Sequence, residues 1–357
     1  MNHEDPVLLH TEGRVRHITL NRPRALNALN HTMVRCMGDA LDAAGQDDSV
    51  IAVVLSGAGE RGLCAGGDIR SIREDALAGG RTSLDFWRDE YRLNARIARF
   101  PKPYVAVMDG IVMGGGVGVS AHGSLRIVTE RSRIAMPETG IGFVPDVGGT
   151  RLLGAAPGEL GMHLALTGDP VSAADALLCG LADHYVPSGD LPALLAALDG
   201  CTTPEAVAAT AGRYAGTAPA GELAGHRDWI DTCYAADTVE EIVERLDGCG
   251  VPAAKQAATT ILAKSPTALK VTLAAVRRAR SLGSLEAVLD QEYRVSSTAF
   301  TRPDLVEGVR AQIIDKDRNP RWSPAELADV TDEDVARHFA PLGDAELGLG
   351  PAAAGTG

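Results

Sequence analysis

Two carboxylates, Glu138 and Asp146, stand among apolar residues and glycines in the stretch Met136–Thr150. The local sequence supports two readings of each. Either is a solvated loop residue or helix cap, and Asp146, just ahead of Val147-Gly148-Gly149, is placed to cap. Or it is buried beside apolar groups, which raises a carboxyl pKa and suits it to acid or base work. Two glycine-rich turns come earlier. Cys64-Ala65-Gly66-Gly67-Asp68-Ile69 runs into an expected helix, where small residues let backbone N–H groups face a ligand oxygen. Packing alone also uses glycine at such a turn. Asp109–Gly118 carries Gly114-Gly115-Gly116 after an expected buried strand. A run of glycines is costly in chain entropy unless the backbone must approach something closely. No Gly-Lys-Ser/Thr follows, so this is not a Walker-type phosphate loop. Two turns that each offer one N–H can form a two-donor oxyanion hole. Cys64 invites a nucleophile reading, but no histidine lies in these segments to activate it. His122, four residues past Gly118, is expected to pack or cap.

Strands that end in turns, and helices that leave them, must position these residues. Val15–Leu20 is β-rich and is stopped by Asn21-Arg22-Pro23, while Ile51–Leu55 and Tyr104–Met108 are continuous apolar runs of the buried kind. Asn30 is expected to cap a helix whose apolar positions Met33, Val34, Met37 and Leu41 recur at three and four. Glu90 falls on a further expected helix before Pro101. Strands alternating with helices predict an α/β class with βαβ crossovers. Past residue 190 helices dominate: one through Val239, Ile242, Val243 and Leu246, and one through Ala268, Leu269, Thr272, Leu273 and Val276. The second has Ser265 as cap and Pro266 in its first turn. Leu305–Ile314 reads as one more helix and Asn319–Pro324 as an extended segment. The expected organisation is a core over 6–190, a helical region over 191–340 and a disordered Gly/Ala/acidic tail over 341–357.

Composition narrows the function. The 357 residues are 45% hydrophobic and 23% charged, enough for one large or two ordinary cores. A net charge of −13 with 4% aromatics argues against nucleic-acid binding, which needs a basic face and stacking rings. No apolar run approaches the roughly 20 residues of a membrane span, and the polar, acidic start Met1–Pro6 is unlike a signal peptide. A cytoplasmic protein without membrane partners is expected. Six cysteines form no CxxC pair and nine histidines no HxxxH pattern, so no metal is expected.

Taken in order and spacing, these motifs resemble the enoyl-CoA hydratase/isomerase (crotonase) superfamily over roughly residues 6–270, from Asn21-Arg22-Pro23 and Ala25-Leu26-Asn27-Ala28-Leu29 onward. Within it the chain most resembles the 3-hydroxyisobutyryl-CoA hydrolases. The resemblance rests on Glu90-Tyr91-Arg92-Leu93-Asn94, Met113–Gly118, Met136–Thr139 and Phe143–Gly149, with Glu307–Ala311, Ile314-Asp315-Lys316 and Asn319–Trp322 at the far end. Residues 200–250 match the pattern poorly.

The resemblance implies a spiral of ββα units followed by a helical C-terminal region. It places a thioester carbonyl between the N–H groups of Gly67 and Gly115, and CoA along Ala65, Gly67, Asp68 and Ile69. Hydratases of the superfamily use two glutamates; one matches Glu138, but the other falls at Gly118, which has no side chain. Dienoyl-CoA isomerases keep acids matching Glu138 and Asp146, yet also an aspartate at the Gly118 position. The hydrolases agree at all three positions and add an acid matching Glu90 against the substrate. The implied activity is therefore hydrolysis of 3-hydroxyisobutyryl-CoA in valine breakdown. Glu138 would be nucleophile or general base, and Asp146 and Glu90 would hold water or the substrate hydroxyl. Hydratase or isomerase chemistry, and non-catalytic acyl-CoA binding, are the alternatives. No cofactor is implied, because CoA is part of the substrate. The family also implies a homo-oligomer, a trimer, a hexamer or something smaller.

Overall fold

The computed structural model describes residues 5–350, and in it the chain divides into two compact units whose segments alternate along the sequence. The first comprises the chain up to Asp68, Leu93–Ala135 and Pro170–Ala224. Among the described residues it holds eight strands: β1 (Val7–Glu12), β2 (Val15–Leu20), β3 (Ala52–Gly57), β4 (Tyr104–Met108), β5 (Ile111–Met113), β6 (Leu125–Val128), β7 (Arg133–Ala135) and β8 (His184–Tyr185). Six form one sheet in the order β1-β2-β3-β4-β6-β8; β5 and β7 pair separately. Only β1 and β2 run antiparallel, with Val7 opposite Leu20; the rest is parallel, Val15 opposite Ala52 and Val53 opposite Tyr104. Parallel strands covered on both faces need apolar residues at every position. That is why β3 and β4 read as continuous apolar runs, and every residue of β4 is buried. As expected, Asn30 caps His31–Gln46 by accepting from the Met33 N–H, and that helix buries Met33, Val34, Met37 and Leu41.

The expected boundary at residue 190 does not hold. The helices Leu191–Asp199 and Pro204–Tyr214 belong to the first unit, because Leu194, Leu198, Val207 and Ala211 complete the same buried cluster as Val15, Val54, Val105 and Ile127. Their apolar faces find the sheet.

The second unit takes Ile69–Arg92, Met136–Asp169 and the chain from Gly225 on. Its centre is helical, with Pro266–Ala279, Leu285–Phe300 and Pro303–Val309 as principal elements. Ser265 caps the first of these through the Ala268 N–H, with Pro266 in its opening turn. The helix expected over Leu305–Ile314 is present, but it passes into a π-helical turn at Arg310–Ile314. The tail expected to be disordered from residue 341 is packed as far as residue 350. Glu346 pairs with Arg294 at 2.8 Å, Leu347 is buried, and Asp290 accepts the N–H groups of Leu349 and Gly350. Residues 351–357 of that tail lie outside the described residues. No helix among the described residues is long and apolar enough to cross a membrane.

Candidate active site

In the first unit the two glycine-rich turns lie against each other. Cys64 pairs with Val112 as an isolated parallel bridge, and its carbonyl accepts the Met113 N–H at 2.9 Å. Gly114 sits at φ 49°, ψ −120°, a conformation that excludes a side chain. A Cβ on Gly116 would stand 2.4 Å from the Cys64 carbonyl oxygen. The close approach that the run of glycines called for is therefore, in part, an approach to the other turn. Among the described residues, neither the Gly67 nor the Gly115 N–H is engaged in a backbone hydrogen bond. Gly115 opens the short helix Gly115–Ser120, and Gly67 is half-buried. Two unengaged donors on two touching turns are what a two-donor oxyanion hole requires. The Cys64 sulfur is folded into its own turn, accepting from the Gly66 N–H at 3.4 Å, so it is structural. Ala65, Gly67 and Asp68 lie along this turn, with Asp68 paired to Arg22 at 2.9 Å. Ile69 opens the helix Ile69–Leu77 of the second unit.

In the second unit, three acids expected from sequence come together. Glu90 projects from the helix Thr82–Ala98, Glu138 begins the 3-10 turn Glu138–Ile141, and Asp146 lies in the loop beyond it. All three are buried. Trp87, one turn before Glu90, stacks on Phe143 and meets Phe300 edge-on, walling the region with aromatic rings. Burial holds the Glu90 carboxyl well above the usual range, with Asp146 and Glu138 pushing the same way. Burial and then Asp146 do the same to Glu138. Asp146 is pushed up to about 7 by burial, opposed by the Tyr91 hydroxyl and its own backbone. Glu90 Oε1 and Glu138 Oε2 are buried without a hydrogen-bond partner among the described residues. Unsatisfied buried oxygens are expensive, and these two are open to a hydrogen-bond donor from water or a ligand. Among the described residues no group of three or more His, Cys, Asp and Glu is arranged to hold a metal ion.

Two features differ from the sequence reading. Asp146 does not cap the following helix, Gly149–Ala155, whose N-cap is Gly148; its Oδ2 instead accepts the Tyr91 hydroxyl at 2.7 Å. A fourth buried carboxyl, Glu292, accepts from the Gly148 N–H at 2.6 Å, the Thr150 N–H at 2.9 Å and the Thr150 hydroxyl at 2.5 Å. Sequence reasoning passes over the roles of Tyr91, Ser296 and Glu292. Tyr91 follows Glu90 directly, and consecutive helical residues point about 100° apart, so attention to one conceals the other. Glu292 and Ser296 share a helix face one turn apart in Leu285–Phe300, a polar pair within a buried stripe.

The sequence pattern of the enoyl-CoA hydratase/isomerase family matches residues 15–339. The chain is 44% identical over 348 residues to the rat (Rattus norvegicus) protein named 3-hydroxyisobutyryl-CoA hydrolase, mitochondrial, covering 96% of this chain and 90% of that one. Its human (Homo sapiens) counterpart of the same name is 42% identical over 350 residues, covering 96% of this chain and 90% of that one. Among solved structures, a protein titled carnitinyl-CoA dehydratase from Mycobacterium thermoresistibile superposes with a TM-score of 0.93 at 54% identity, covering 97% of this chain and 99% of that one. One titled enoyl-CoA hydratase from Rhodobacter sphaeroides gives a TM-score of 0.89 at 44% identity, covering 96% and 99%.

Proposed function

This chain belongs to the enoyl-CoA hydratase/isomerase family, and we infer that it is a thioester hydrolase converting 3-hydroxyisobutyryl-CoA and water to 3-hydroxyisobutyrate and CoA. The observation that carries this reading is the trio Glu90, Glu138 and Asp146, with two buried carboxyl oxygens left unpartnered and no acid at Gly118. The position at which paired-glutamate hydratases would carry their second acid is Gly118 here, which has no side chain. The thioester carbonyl would be polarised by the Gly67 and Gly115 N–H groups, and one such donor is worth about 3 kcal/mol to the tetrahedral oxyanion. In the reaction that the hydrolase resemblance implies, Glu138 would attack the thioester carbonyl, expelling CoA as thiolate and leaving a mixed anhydride that water cleaves, or would take a proton from an attacking water. Asp146 and Glu90 hold the water and the substrate 3-hydroxyl. The CoA chain would follow Ala65, Gly67, Asp68 and Ile69.

A second reading has its own support. The solved relatives at 54% and 44% identity are titled carnitinyl-CoA dehydratase and enoyl-CoA hydratase. One experiment separates the two: CoA thiol release from 3-hydroxyisobutyryl-CoA by wild type and Glu138→Ala, beside hydration of crotonyl-CoA and dehydration of carnitinyl-CoA. Thiol release lost in Glu138→Ala, with the other two thioesters untouched, is the expected result. Hydration or dehydration without thiol release would replace the hydrolase by the second reading. A hydroxyl-binding site leaves its polar groups unpaired when the hydroxyl is absent, so isobutyryl-CoA should be hydrolysed at least about 100-fold more slowly. The proposal extends to a reaction without cofactor, a place in valine breakdown, a cytoplasmic location and a homo-oligomer (trimer, hexamer or smaller). The hydrolase relatives are named mitochondrial, so fractionation tests the location, and light scattering reads the assembly.

A further inference from the structure

The loop that carries Asp146 is conformationally unfavourable. Val147, next to it, sits at φ 55°, in the left-handed region that a β-branched residue avoids. Such a residue persists only where its surroundings hold it there. The holding groups come from the Leu285–Phe300 helix. Glu292 takes the N–H groups of Gly148 and Thr150 and the Thr150 hydroxyl, gripping the backbone just past Val147. One turn on, Ser296 Oγ stands 2.7 Å from the Tyr91 hydroxyl, which donates to Asp146 Oδ2 at 2.7 Å. With the phenol proton directed at Asp146, Ser296 is the donor to Tyr91, and the chain Ser296–Tyr91–Asp146 is buried throughout.

We propose that Glu292, Ser296 and Tyr91 are positioning residues for Asp146, Glu292 fixing the backbone that carries it and Ser296 fixing the phenol that orients its carboxylate. The proposal rests on Asp146 being part of the reacting site. It gives the Leu285–Phe300 helix a definite role, in which two side chains one turn apart brace the aspartate through its loop and through its hydrogen-bond donor. Asp146 is faced by Glu90 and Tyr91 of the Thr82–Ala98 helix, Glu138 of the 3-10 turn and Glu292 of the Leu285–Phe300 helix. Among these four, only the Tyr91 hydroxyl gives Asp146 a hydrogen bond.

Tyr91→Phe, Ser296→Ala, Thr150→Val and Thr150→Ser test this with two readouts. The first is kcat and KM on whichever acyl-CoA the wild type turns over. The second needs no turnover: the pH titration of the Asp146 carboxyl by carbon-13 NMR on aspartate-labelled protein, assigned with Asp146→Asn. A positioned acid–base group contributes about 10²–10⁴-fold, so Tyr91→Phe and Ser296→Ala should each lower kcat about 10- to 100-fold with KM within about threefold. In Tyr91→Phe the Asp146 titration should move up by about one pH unit, because a donor to the ionised form is gone. Thr150→Val, which keeps the side chain's volume but loses the hydroxyl that Glu292 accepts, should fall between; Thr150→Ser should restore wild-type kcat. Values of kcat within twofold of wild type in both Tyr91→Phe and Ser296→Ala, or an unmoved Asp146 titration, would overturn the proposal. A wild type that hydrates crotonyl-CoA without releasing thiol would end the hydrolase reading, while the Asp146 titration still decides this one.

Discussion

Replacing Asp146 by asparagine should make the protein more stable at neutral pH while abolishing turnover, and the size of the gain follows from burial. The folded protein holds this carboxyl at about 7, against an ordinary 3.8. A raised acid contributes stability below its unfolded value and loses it as pH climbs through its folded one. In wild type that loss begins near pH 4 and is complete above pH 7. Its size is about 3 pH units at about 1.4 kcal/mol each, or roughly 4 kcal/mol. Asparagine has no such dependence, and its side-chain oxygen can still accept the Tyr91 hydroxyl. Removing the charge also relieves Glu90 and Glu138, both of which Asp146 pushes upward, so the secondary effect has the same sign. The assay is urea unfolding of both proteins at pH 4.5, 5.5 and 6.5. The stability difference, variant minus wild type, should grow by about 1.4 kcal/mol per pH unit across that range. Parallel curves for the two proteins would refute the argument that burial of Asp146 strains the fold.

Three further outcomes follow from named contacts. His163, buried against Tyr234 through a 2.8 Å hydrogen bond, is pushed down from 6.5 to about 4, first by burial and then by His226. The unfolded chain takes up that proton below pH 6.5 and the folded one does not, so about 3 kcal/mol is lost as pH falls from 6.5 to 4. His163→Gln should flatten that limb in the same urea series. Gly116→Ala puts a methyl 2.4 Å from the Cys64 carbonyl oxygen; the turns must part, costing about 1–3 kcal/mol, and kcat/KM should drop more than the melting temperature explains. Ending the chain at Ala340 removes the Arg294–Glu346 pair and the buried Leu347. Loss of that leucine alone costs about 2 kcal/mol, which thermal melts of the truncated protein will register.

What the sequence made legible was local. Asn30 and Ser265 announce their helices because a cap needs only one side chain and the N–H three residues on. The strands β3 and β4 announce themselves because a strand buried on both faces has no place for a polar residue. Glu138 and Asp146 stood out as charges with no polar company, and both are buried. What stayed hidden depended on distant partners. The role of Asp146 is set by Tyr91, 55 positions earlier, and its loop is held by Glu292 on a helix more than 140 positions later. Neither spacing leaves a periodic trace. The unit boundary was misplaced for the same reason: nothing local marks Leu194 and Val207 as sheet-facing, and only the sheet cluster they join tells which unit they serve.

The energetics of the second unit bear on whether this is an enzyme or a binding scaffold. Glu90, Glu138, Asp146 and Glu292 are all buried and all raised by burial before any other cause. Replacing buried ionisable groups with apolar residues of similar size is often neutral or stabilising, so a fold kept only for its shape gains by losing them. Burial of Glu292 is offset structurally by three donors from Gly148 and Thr150. Glu90 and Glu138 are less fully offset, since each keeps a buried oxygen with no partner among the described residues. Like charges this close cannot all ionise together, so the set shares protons over the neutral range instead of releasing them at once. Asp146, pushed up to about 7, and Glu292, pushed up to about 8, bring that exchange to the neutral range. A carboxyl set that destabilises its own fold and holds exchangeable protons at working pH has its explanation in turnover, and a passive acyl-CoA binder offers none.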